Sequence, residues 1–288
     1  MQSFIQEVVQ DVLKNNSDLG KTIFILTSKR AGVFLKKALS SSLTKTILAP
    51  EIYSIEDFIE KVSKLVTANT TTQLFELYNA YLNVGDNDKE SFDSFLKWGQ
   101  ILLQDFNEVD RYLVDANSLY QNVAAIQEVN HWSVNSDNSE MIENYLHFWR
   151  HLEAIYNKFN NNLLKQGLGH QGLIYKTSVS ELNNYIASAN KQHIFLGFNA
   201  LNTAESILIQ TILEQTNAAI YWDIDPYFLK DNIHDAGYFI RQYQKTWKVL
   251  KDKPLAGLTN YYNTEKHIEI IGVPKNVSQV NYVGDILN

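Results

Sequence analysis

The 288-residue chain contains no cysteine, and it has no continuous apolar run long enough to cross a bilayer. Its first residues, MQSFIQEVVQDVL, are amphipathic and acidic, so they lack the basic-then-apolar pattern of a secretory leader. Disulfides are typical of oxidising compartments, and this sequence offers none. We therefore expect a protein of the reducing cytoplasm with no membrane partner.

Several catalytic motifs are also missing. The sequence contains no Asp-x-Lys or Glu-x-Lys, the element that positions metal and water in PD-(D/E)XK nucleases, which excludes cutting of that type within these residues. The serine hydrolase motif G-x-S-x-G is absent, and the seven histidines show no H-E-x-x-H or other ligand spacing. GLGHQG at 167–172 follows no predicted strand, so we interpret it as a loop between helices. We predict no catalytic residue, no metal ligand and no cofactor in this segment.

The composition is that of a folded protein, with 45% hydrophobic and 12% aromatic residues. A chain of this length can bury a sizeable core as one large domain or two modest ones. The net charge of -7 argues against a protein that coats nucleic acid over its whole surface. A small basic site within an acidic chain remains compatible with this charge.

The first section alternates between helical and strand patterns. A helix at about 2–15 is followed by the strand TIFIL, the helix AGVFLKKALSSSL, the short strand KTILAP and the helix SIEDFIEKVSKLV. Ser54 opens the last of these helices, with Asp57 three residues later as in a capping box. Alternation of this kind predicts a parallel sheet.

Helical periodicity then replaces the strand pattern over residues 68–188. Strands return as HIFLGF, AAIYWDID and HIEIIGV. We therefore predict one discontinuous α/β domain, residues 1–67 and 189–288, interrupted by an all-helical insertion at 68–188. The last residues, QVNYVGDILN, predict a helix still under way, so we expect the chain to be part of a longer protein.

The letters GKT at Gly20-Lys21-Thr22 suggest a phosphate-binding P-loop. A P-loop has the form G-x-x-x-x-G-K-[ST] after a strand and before a helix, whereas here a helix precedes GKT and the strand follows it. Position 15, where the first glycine belongs, is Asn15. We interpret Gly20 as a helix stop and Lys21-Thr22 as the start of the strand.

TSKRAG directly follows the strand TIFIL. The carboxyl ends of parallel strands are where open α/β sheets bind ligands. Ser28, Lys29 and Arg30 lead into a helix, whose first amides favour anions, so the phosphate of a nucleotide or of DNA is a candidate ligand. The alternative is a capped helix start with two solvated cations, and the residue types do not decide between the two.

Polar residues also follow the later strands. In HIFLGFNALNTAE, Asn199 and Asn202 stand where an active motor ATPase has magnesium-binding carboxylates, and Glu205 is expected to cap the helix. Asp223 and Asp225 alternate as in a metal site, but Pro226 follows at once and no further ligands are nearby, which favours a structural strand end. The histidine that starts HIFLGF is expected to be structural.

Five stretches, taken in order, resemble the N-terminal, helicase-like region of AddB-type proteins, the B subunits of bacterial ATP-dependent helicase-nucleases, and of the group named PD-(D/E)XK nuclease family proteins. They are TIFILTSKRAGVFLKKAL, ILAPEIYSIEDFIEKV, LLQDFNEVDRYLVDANSLY, HIFLGFNALNTAE and YWDIDPYFLKDNIHDAGYFIRQYQKTW. Together they span nearly the whole chain, and DFNEVDRYL and FLGFNALNTAE are the most specific.

The resemblance implies a P-loop-NTPase-like, superfamily 1 helicase-like α/β domain with a helical insertion. In ATP-binding members the P-loop strand precedes the equivalent of TIFIL, and here that strand is lacking, so we expect no ATPase activity. A second helicase-like domain and a nuclease domain, often with an iron-sulfur cluster, follow later in such proteins. TSKRAG is similar to the family's next motif, which lies near single-stranded DNA. The implied contacts are Thr27, Ser28, Lys29 and Arg30, with Tyr53 and Ser54 as a weaker second contact.

The expected function is therefore a non-catalytic, helicase-like DNA-binding and scaffolding segment of a larger nuclease in bacterial double-strand break repair. Its expected partners are single-stranded or forked DNA and an AddA-like motor subunit. The alternative is a domain that docks the motor subunit and never touches DNA. A basic stripe from Lys29 and Arg30 to Lys36 or Lys37 favours the first, and a bare apolar patch on the insertion favours the second. A small-molecule enzyme is a third class, but no convergent set of titratable residues supports it.

Overall fold

The computed structural model describes residues 3–15, 18–85, 89–132, 140–251, 253–258 and 261–287. The strands within these ranges are β1 Thr22–Leu26, β2 Glu51–Ser54, β3 Val66–Thr67, β4 Leu168–Gly169, β5 Gln192–Leu196 and β6 Ala218–Tyr221. The helices are α1 Phe4–Asn15, α2 Lys29–Ser42, α3 Ile55–Ser63, α4 Thr70–Leu82, α5 Phe92–Arg111, α6 Ala116–Trp132, α7 Glu140–Lys165, α8 Gln171–Ser188, α9 Thr203–Gln215, α10 Pro226–Lys230, α11 Tyr238–Thr246 and α12 Asn276–Leu287.

Four of the strands form one parallel sheet in the order β2-β1-β5-β6. Phe24 in the middle of β1 pairs with Ile52 of β2 on one side and with Ile194 of β5 on the other. All five residues of β1 are buried, as is typical of a parallel strand covered on both faces. The fold is therefore α/β with a parallel sheet, which confirms the expectation from the alternating pattern.

Helices cover both faces of this sheet, because successive side chains of a strand point to opposite sides. On one face, Val9 of α1 and Leu35 of α2 pack in the same core as Phe24. On the other face, α3, α8, α9 and α11 enclose Phe195. The rings of Phe58 in α3 and Phe195 meet edge to face, 6.3 Å between centroids. The sheet is thus the middle of three layers.

Helices α4 to α7 pack around a second apolar core. Phe95 and Phe106 of α5 and Phe159 of α7 are fully buried there. In the described part of the chain, no helix combines the length and the apolar character that crossing a bilayer requires.

The chain leaves the sheet and returns to it through β3 and β4, which pair in parallel with Val66 opposite Leu168. Helix α8 then contacts both cores. Its Leu173 packs with the helical core, and the adjacent Ile174 packs beneath the sheet. Helices α4 to α7 thus lie in the chain between two short strands that pair with each other. The division of the chain into an α/β domain, 1–67 and 189–288, and a helical insertion, 68–188, stays a prediction.

The prediction of a strand at KTILAP is wrong. The strand is β2, which begins at Glu51, directly after this segment. A strand of a sheet must pair, and the first partner of β1 in β2 is Glu51, opposite Ile23. Residues 45–50 form no strand, and Leu48 among them is 80% exposed. Apolar composition suggested a strand here, but pairing decides where it forms.

The predicted strand HIEIIGV is also wrong. Residues 267–273 form no strand, and Ile268 and Ile270 are 72% and 94% exposed. No described strand pairs with this segment. The β-prone, alternating sequence therefore has neither the hydrogen-bonding partner nor the apolar surface that a strand requires.

Candidate functional site

The sheet order creates a crevice at one point of its carboxyl edge. From β1 the chain passes through α2 to β2 on one side, and from β5 it passes through α9 to β6 on the other side. The connections after β1 and β5 therefore leave the sheet in opposite directions. Open α/β sheets bind ligands at such a switch point. Two segments border it here, residues 27–28 after β1 and residues 197–202 after β5.

TSKRAG lies at this crevice. Ser28 is the N-cap of α2, and its Oγ accepts a hydrogen bond from the Ala31 amide at 3.3 Å. Thr27, Lys29 and Arg30 are exposed beside it. The remaining amides of a first helical turn have no intrahelical acceptor and carry partial positive charge. The predicted residues Thr27 to Arg30 thus surround a helix start that opens towards the crevice.

An ion pair connects this helix start to the next one. Lys29 Nζ lies 2.9 Å from Asp57 Oδ1, and Asp57 Oδ2 accepts a hydrogen bond from Ser54 Oγ at 2.8 Å. The hydrogen bond to Asp57 raises the pKa of Lys29. Burial acts to raise the pKa of Asp57, but the hydrogen bonds from Lys29 and Ser54 outweigh it and lower that pKa. The predicted contacts Ser54 and Lys29 therefore meet through Asp57.

Tyr53, the other predicted contact, has its hydroxyl in a different cluster. That hydroxyl donates to Glu51 Oε2 at 2.8 Å and accepts from Lys61 Nζ at 3.0 Å. Glu51 also accepts from Lys61 and Lys191, each at 2.6 Å. Because Glu51 begins β2, this cluster lies towards the amino end of the strand. The structure does not bring the Tyr53 hydroxyl to Thr27–Arg30.

The segment after β5 is built around a capped helix. Gly197 has a φ of +70°, a left-handed conformation that favours glycine, and it turns the chain out of the strand. Asn202 Oδ1 accepts from the Glu205 amide at 2.9 Å, and Glu205 Oε2 accepts from the Asn202 amide at 3.1 Å. Burial raises the pKa of Glu205. This capping box confirms the interpretation of Glu205 as a capping residue.

Asp223 and Asp225 lie between β6 and α10. Strand β6 ends at Tyr221, earlier than AAIYWDID predicts, so both aspartates lie beyond it. Asp225 caps α10, accepting from the amides of Tyr227 and Tyr262 at 2.9 Å each. Asp223 is exposed. The described residues contain no group of three His, Cys, Asp or Glu side chains placed to hold a metal ion.

His193 is a core residue of β5. It is fully buried, and its Nε2 lies 2.7 Å from the Tyr185 hydroxyl. Burial lowers the pKa of His193 to about 4, so the ring is neutral near pH 7. Its contacts support the structural role expected from its place at a strand start.

GKT lies at the opposite edge of the sheet. Gly20 is in a 3₁₀ turn, Leu19–Lys21, and Thr22 begins β1. Helix α1 ends at Asn15, so Gly20 is not its direct stop as predicted. GKT therefore precedes the strand, at its amino end, where it is remote from the switch-point crevice.

Helix α2 extends the basic character of the crevice along its exposed face. From Leu19 to Pro50 the chain has six lysines and arginines and no aspartate or glutamate, although the whole chain has 25 basic and 32 acidic residues. The exposed residues of α2 include its four cations and two apolar side chains: Lys29, Arg30, Val33, Phe34, Lys36 and Lys37. This is a basic stripe of the kind that favours DNA.

The acidic residues of the neighbouring helix α1 are turned away from this stripe. Asp11 accepts a hydrogen bond from Tyr221 at 2.7 Å, and Glu7 accepts one from Tyr261. Tyr221 lies on β6, the strand at the far side of the sheet from β2. The carboxylates of α1 therefore do not pair with the cations of α2, among which Lys29 is paired with Asp57 of α3.

Phe34 was missed by motif reasoning from the sequence. It lies inside a helix without a recognisable motif, and amphipathicity alone does not say that an aromatic side chain stays exposed. The available signal was charge, because the acid-free run from Leu19 to Pro50 is visible in the sequence. Charge segregation, more than a short motif, marks this surface.

The end of α5 is linked to the start of α3 through Gln171. Arg111 at the end of α5 donates to Gln171 Oε1, and Gln171 Nε2 donates to Glu56 Oε1 at 3.3 Å. Glu56 lies in the first turn of α3. This chain of contacts ties the helical core to a helix that starts at the carboxyl edge of the sheet.

Asp110, the residue directly before Arg111, holds a buried polar cluster together. It is fully buried, with Lys176 Nζ 2.9 Å from Oδ1 and Asn160 Nδ2 3.1 Å from Oδ2, and Tyr156 donates to it as well. His170 Nδ1 lies 3.3 Å from the Leu173 amide, and Nε2 lies 3.0 Å from Asn160 Oδ1 and 3.4 Å from Asp110 Oδ2. The cluster joins α5 to α7 and α8, with Asp110 as the acceptor that Tyr156, Asn160 and Lys176 share.

GLGHQG is part of this junction, and its interpretation as a loop is wrong. Leu168–Gly169 form β4, His170 caps α8, and α8 begins at Gln171. The Gly172 amide donates to Asn107 Oδ1 at 2.6 Å. The motif therefore docks the start of α8 against α5.

The chain matches no protein-family model and no curated protein. The AddB-type resemblance accordingly stays a prediction. Two features distinguish the surface physically: the switch-point crevice and the basic face of α2.

Proposed function

We propose that the chain is a non-catalytic, helicase-like DNA-binding and scaffolding segment of a larger bacterial helicase-nuclease that acts in double-strand break repair and recombination. The observation that supports this most is the basic surface that starts at Lys29 and Arg30 in the crevice and continues along α2. The proposal includes a P-loop-NTPase-like, superfamily 1 helicase-like fold for the parallel sheet. It assigns no catalytic residue and no cofactor to this segment, and it places the protein in the cytoplasm.

The proposed contacts are to the DNA backbone. Arg30 lies 6.0 Å from the ring centroid of Phe34 and forms no ion pair among the described residues, so it is available to a phosphate. Lys29 reaches a phosphate by exchanging Asp57 for it. Ser28 and Thr27 supply a hydroxyl and the helix start beside them. Such contacts are sensitive to salt and read little sequence.

A second candidate function is docking of an AddA-like motor subunit without DNA contact. Exposed apolar side chains on the insertion favour it. Phe75, Ile101, Ile126 and Val129 are 55%, 62%, 55% and 65% exposed. These residues lie on α4, α5 and α6, and a protein partner would cover such side chains.

Fluorescence anisotropy of labelled single-stranded and forked DNA, at low and near-physiological salt, tests the first proposal. The variant is Lys29→Ala with Arg30→Ala, and the matched control is Lys245→Ala with Lys248→Ala, two exposed cations remote in sequence from α2. We expect salt-sensitive binding that the first pair weakens about 10-fold or more and the control pair leaves nearly unchanged.

Absence of binding at low salt would reject the DNA-binding proposal and favour docking to a motor subunit. Equal losses in the two double variants would show that only net charge matters and would reject the assignment to the crevice.

A further inference from the structure

Phe34 is an exposed aromatic residue whose position on α2 lies between those of two cations. It is 51% exposed, and its neighbour Val33 is 64% exposed. Arg30 lies four residues before it and Lys37 three residues after it, so both are adjacent to Phe34 on the same helical face. With a rise of about 1.5 Å per residue, the two cations begin roughly 10 Å apart along the helix axis with the ring between them.

Isolated exposed apolar side chains are normal on protein surfaces and carry no meaning alone. Phe34 differs because its whole surrounding segment, Leu19 to Pro50, contains no acidic residue. The side chain of Arg30 already lies over its ring. A surface of this composition complements a partner that has flat apolar faces and regularly spaced negative charges.

We infer that the exposed face of α2 binds single-stranded DNA, with Phe34 stacking on an unpaired base while Arg30 and Lys37 contact phosphates on either side. The inference rests on the proposed function and specifies the form of DNA that this surface takes. In a duplex, neighbouring bases cover one another, so an aromatic side chain on a helix surface has no free base face to stack on. In a single strand each base has an accessible face, and stacking on an aromatic ring tolerates any base.

An acidic protein segment is the competing occupant, because it also supplies negative charge and apolar groups. The two occupants differ in what Phe34 recognises. Single-stranded DNA loses affinity when its bases are removed and its phosphates are kept. A surface that recognises charge alone binds the two equally.

The test is anisotropy titration of the full chain with three labelled ligands: oligo-dT, an abasic phosphodiester of the same length, and a duplex. The variants are Phe34→Ala, Phe34→Trp and Phe75→Ala, the last being a comparably exposed phenylalanine on α4. Thermal unfolding of each variant checks that the fold is kept.

We expect the unchanged protein to bind oligo-dT more tightly than the abasic strand or the duplex. Phe34→Ala should lower the affinity for oligo-dT roughly 5- to 100-fold and leave the abasic strand unaffected. Phe34→Trp should retain binding and show quenched tryptophan fluorescence on adding oligo-dT, and Phe75→Ala should bind normally.

Equal affinity for oligo-dT and the abasic strand, or no effect of Phe34→Ala, overturns the stacking inference while leaving backbone binding by Lys29 and Arg30 intact. Absence of binding to all three ligands overturns both this inference and the proposed function.

Discussion

Lys29 Nζ lies 2.9 Å from Asp57 Oδ1, so an ion pair joins the first turn of α2 to the first turn of α3. Both helices start at the carboxyl edge of the sheet, and the pair therefore borders the crevice. Of the two cations that follow Ser28, one is thus neutralised within the protein and the other, Arg30, faces solvent. Asp57 sets how much positive charge the crevice offers to a ligand.

Asp57→Asn should strengthen binding of single-stranded DNA, because it releases Lys29 and removes a nearby negative charge. The exposed pair contributes modestly, so we expect about a 3- to 10-fold gain in affinity at low salt that diminishes as salt is added. Anisotropy titrations at two salt concentrations measure it. Glu56→Gln is the matched control, since it removes the same charge one residue earlier from a side chain that bonds to Gln171 instead. A gain of the same size in the control would mean that Lys29 is not the group being released.

Asp110→Ala should destabilise the protein strongly. The substitution leaves Tyr156, Asn160 and Lys176 without their shared acceptor inside the protein. Removing one partner of a buried charged cluster costs about 3–5 kcal/mol. Urea unfolding measures the free energy, with Asp105→Ala as the control because Asp105 is an exposed carboxylate on the same helix. A loss below 1 kcal/mol would show that the cluster reorganises around the vacancy.

Gly172→Ala should also destabilise the junction, although alanine is the better helix former. A Cβ at this position would lie 2.1 Å from the Asn107 carbonyl oxygen, so α8 and α5 would have to move apart. We expect a loss of about 2–4 kcal/mol, whereas helix propensity alone predicts a gain of up to about 1 kcal/mol. Denaturant unfolding decides the sign. Gly272→Ala, where nothing lies within 4 Å, should change stability by less than about 0.5 kcal/mol.

The strands and helix starts could be predicted where the local sequence sets them. TIFIL and HIFLGF are apolar runs that must be buried, and they became β1 and β5. Ser54 and Glu205 take part in helix caps whose partners lie three positions away in the chain, a spacing that the sequence shows directly. The predicted placement of TSKRAG at the carboxyl end of a strand follows from the same local order.

Features that depend on distant partners could not be predicted in this way. KTILAP and HIEIIGV have strand-like composition, but a strand forms only where another strand pairs with it. The Asp110 cluster joins three helices, α5, α7 and α8, and no spacing within one helix announces it. Likewise, the distance between Lys29 and Asp57 follows from the packing of two consecutive helices against the sheet edge.

The hydrogen bonds of Glu51 at the start of β2 should make the stability of the protein depend on pH in the acid range. Hydrogen bonds from Lys191, Lys61 and Tyr53 lower the pKa of Glu51 to about 2, against a burial effect that acts to raise it. A carboxylate with a depressed pKa stabilises the folded state fully above its ordinary pKa of 4.5, and this contribution is lost as the pH falls from there towards 2. The contribution is about 1–3 kcal/mol after allowing for partial exposure.

Glu51→Gln should therefore lower stability at pH 7 by about that amount and make stability less dependent on pH between 4.5 and 2. Urea unfolding at pH 7, 4 and 3 follows the difference between the variant and the unchanged protein, which should shrink steadily as the pH falls. Glu265→Gln, at an exposed carboxylate, should track the unchanged protein at every pH. A constant difference between Glu51→Gln and the unchanged protein across this range would mean that the lost packing of Glu51, and not its charge, holds β2 to α3 and β5.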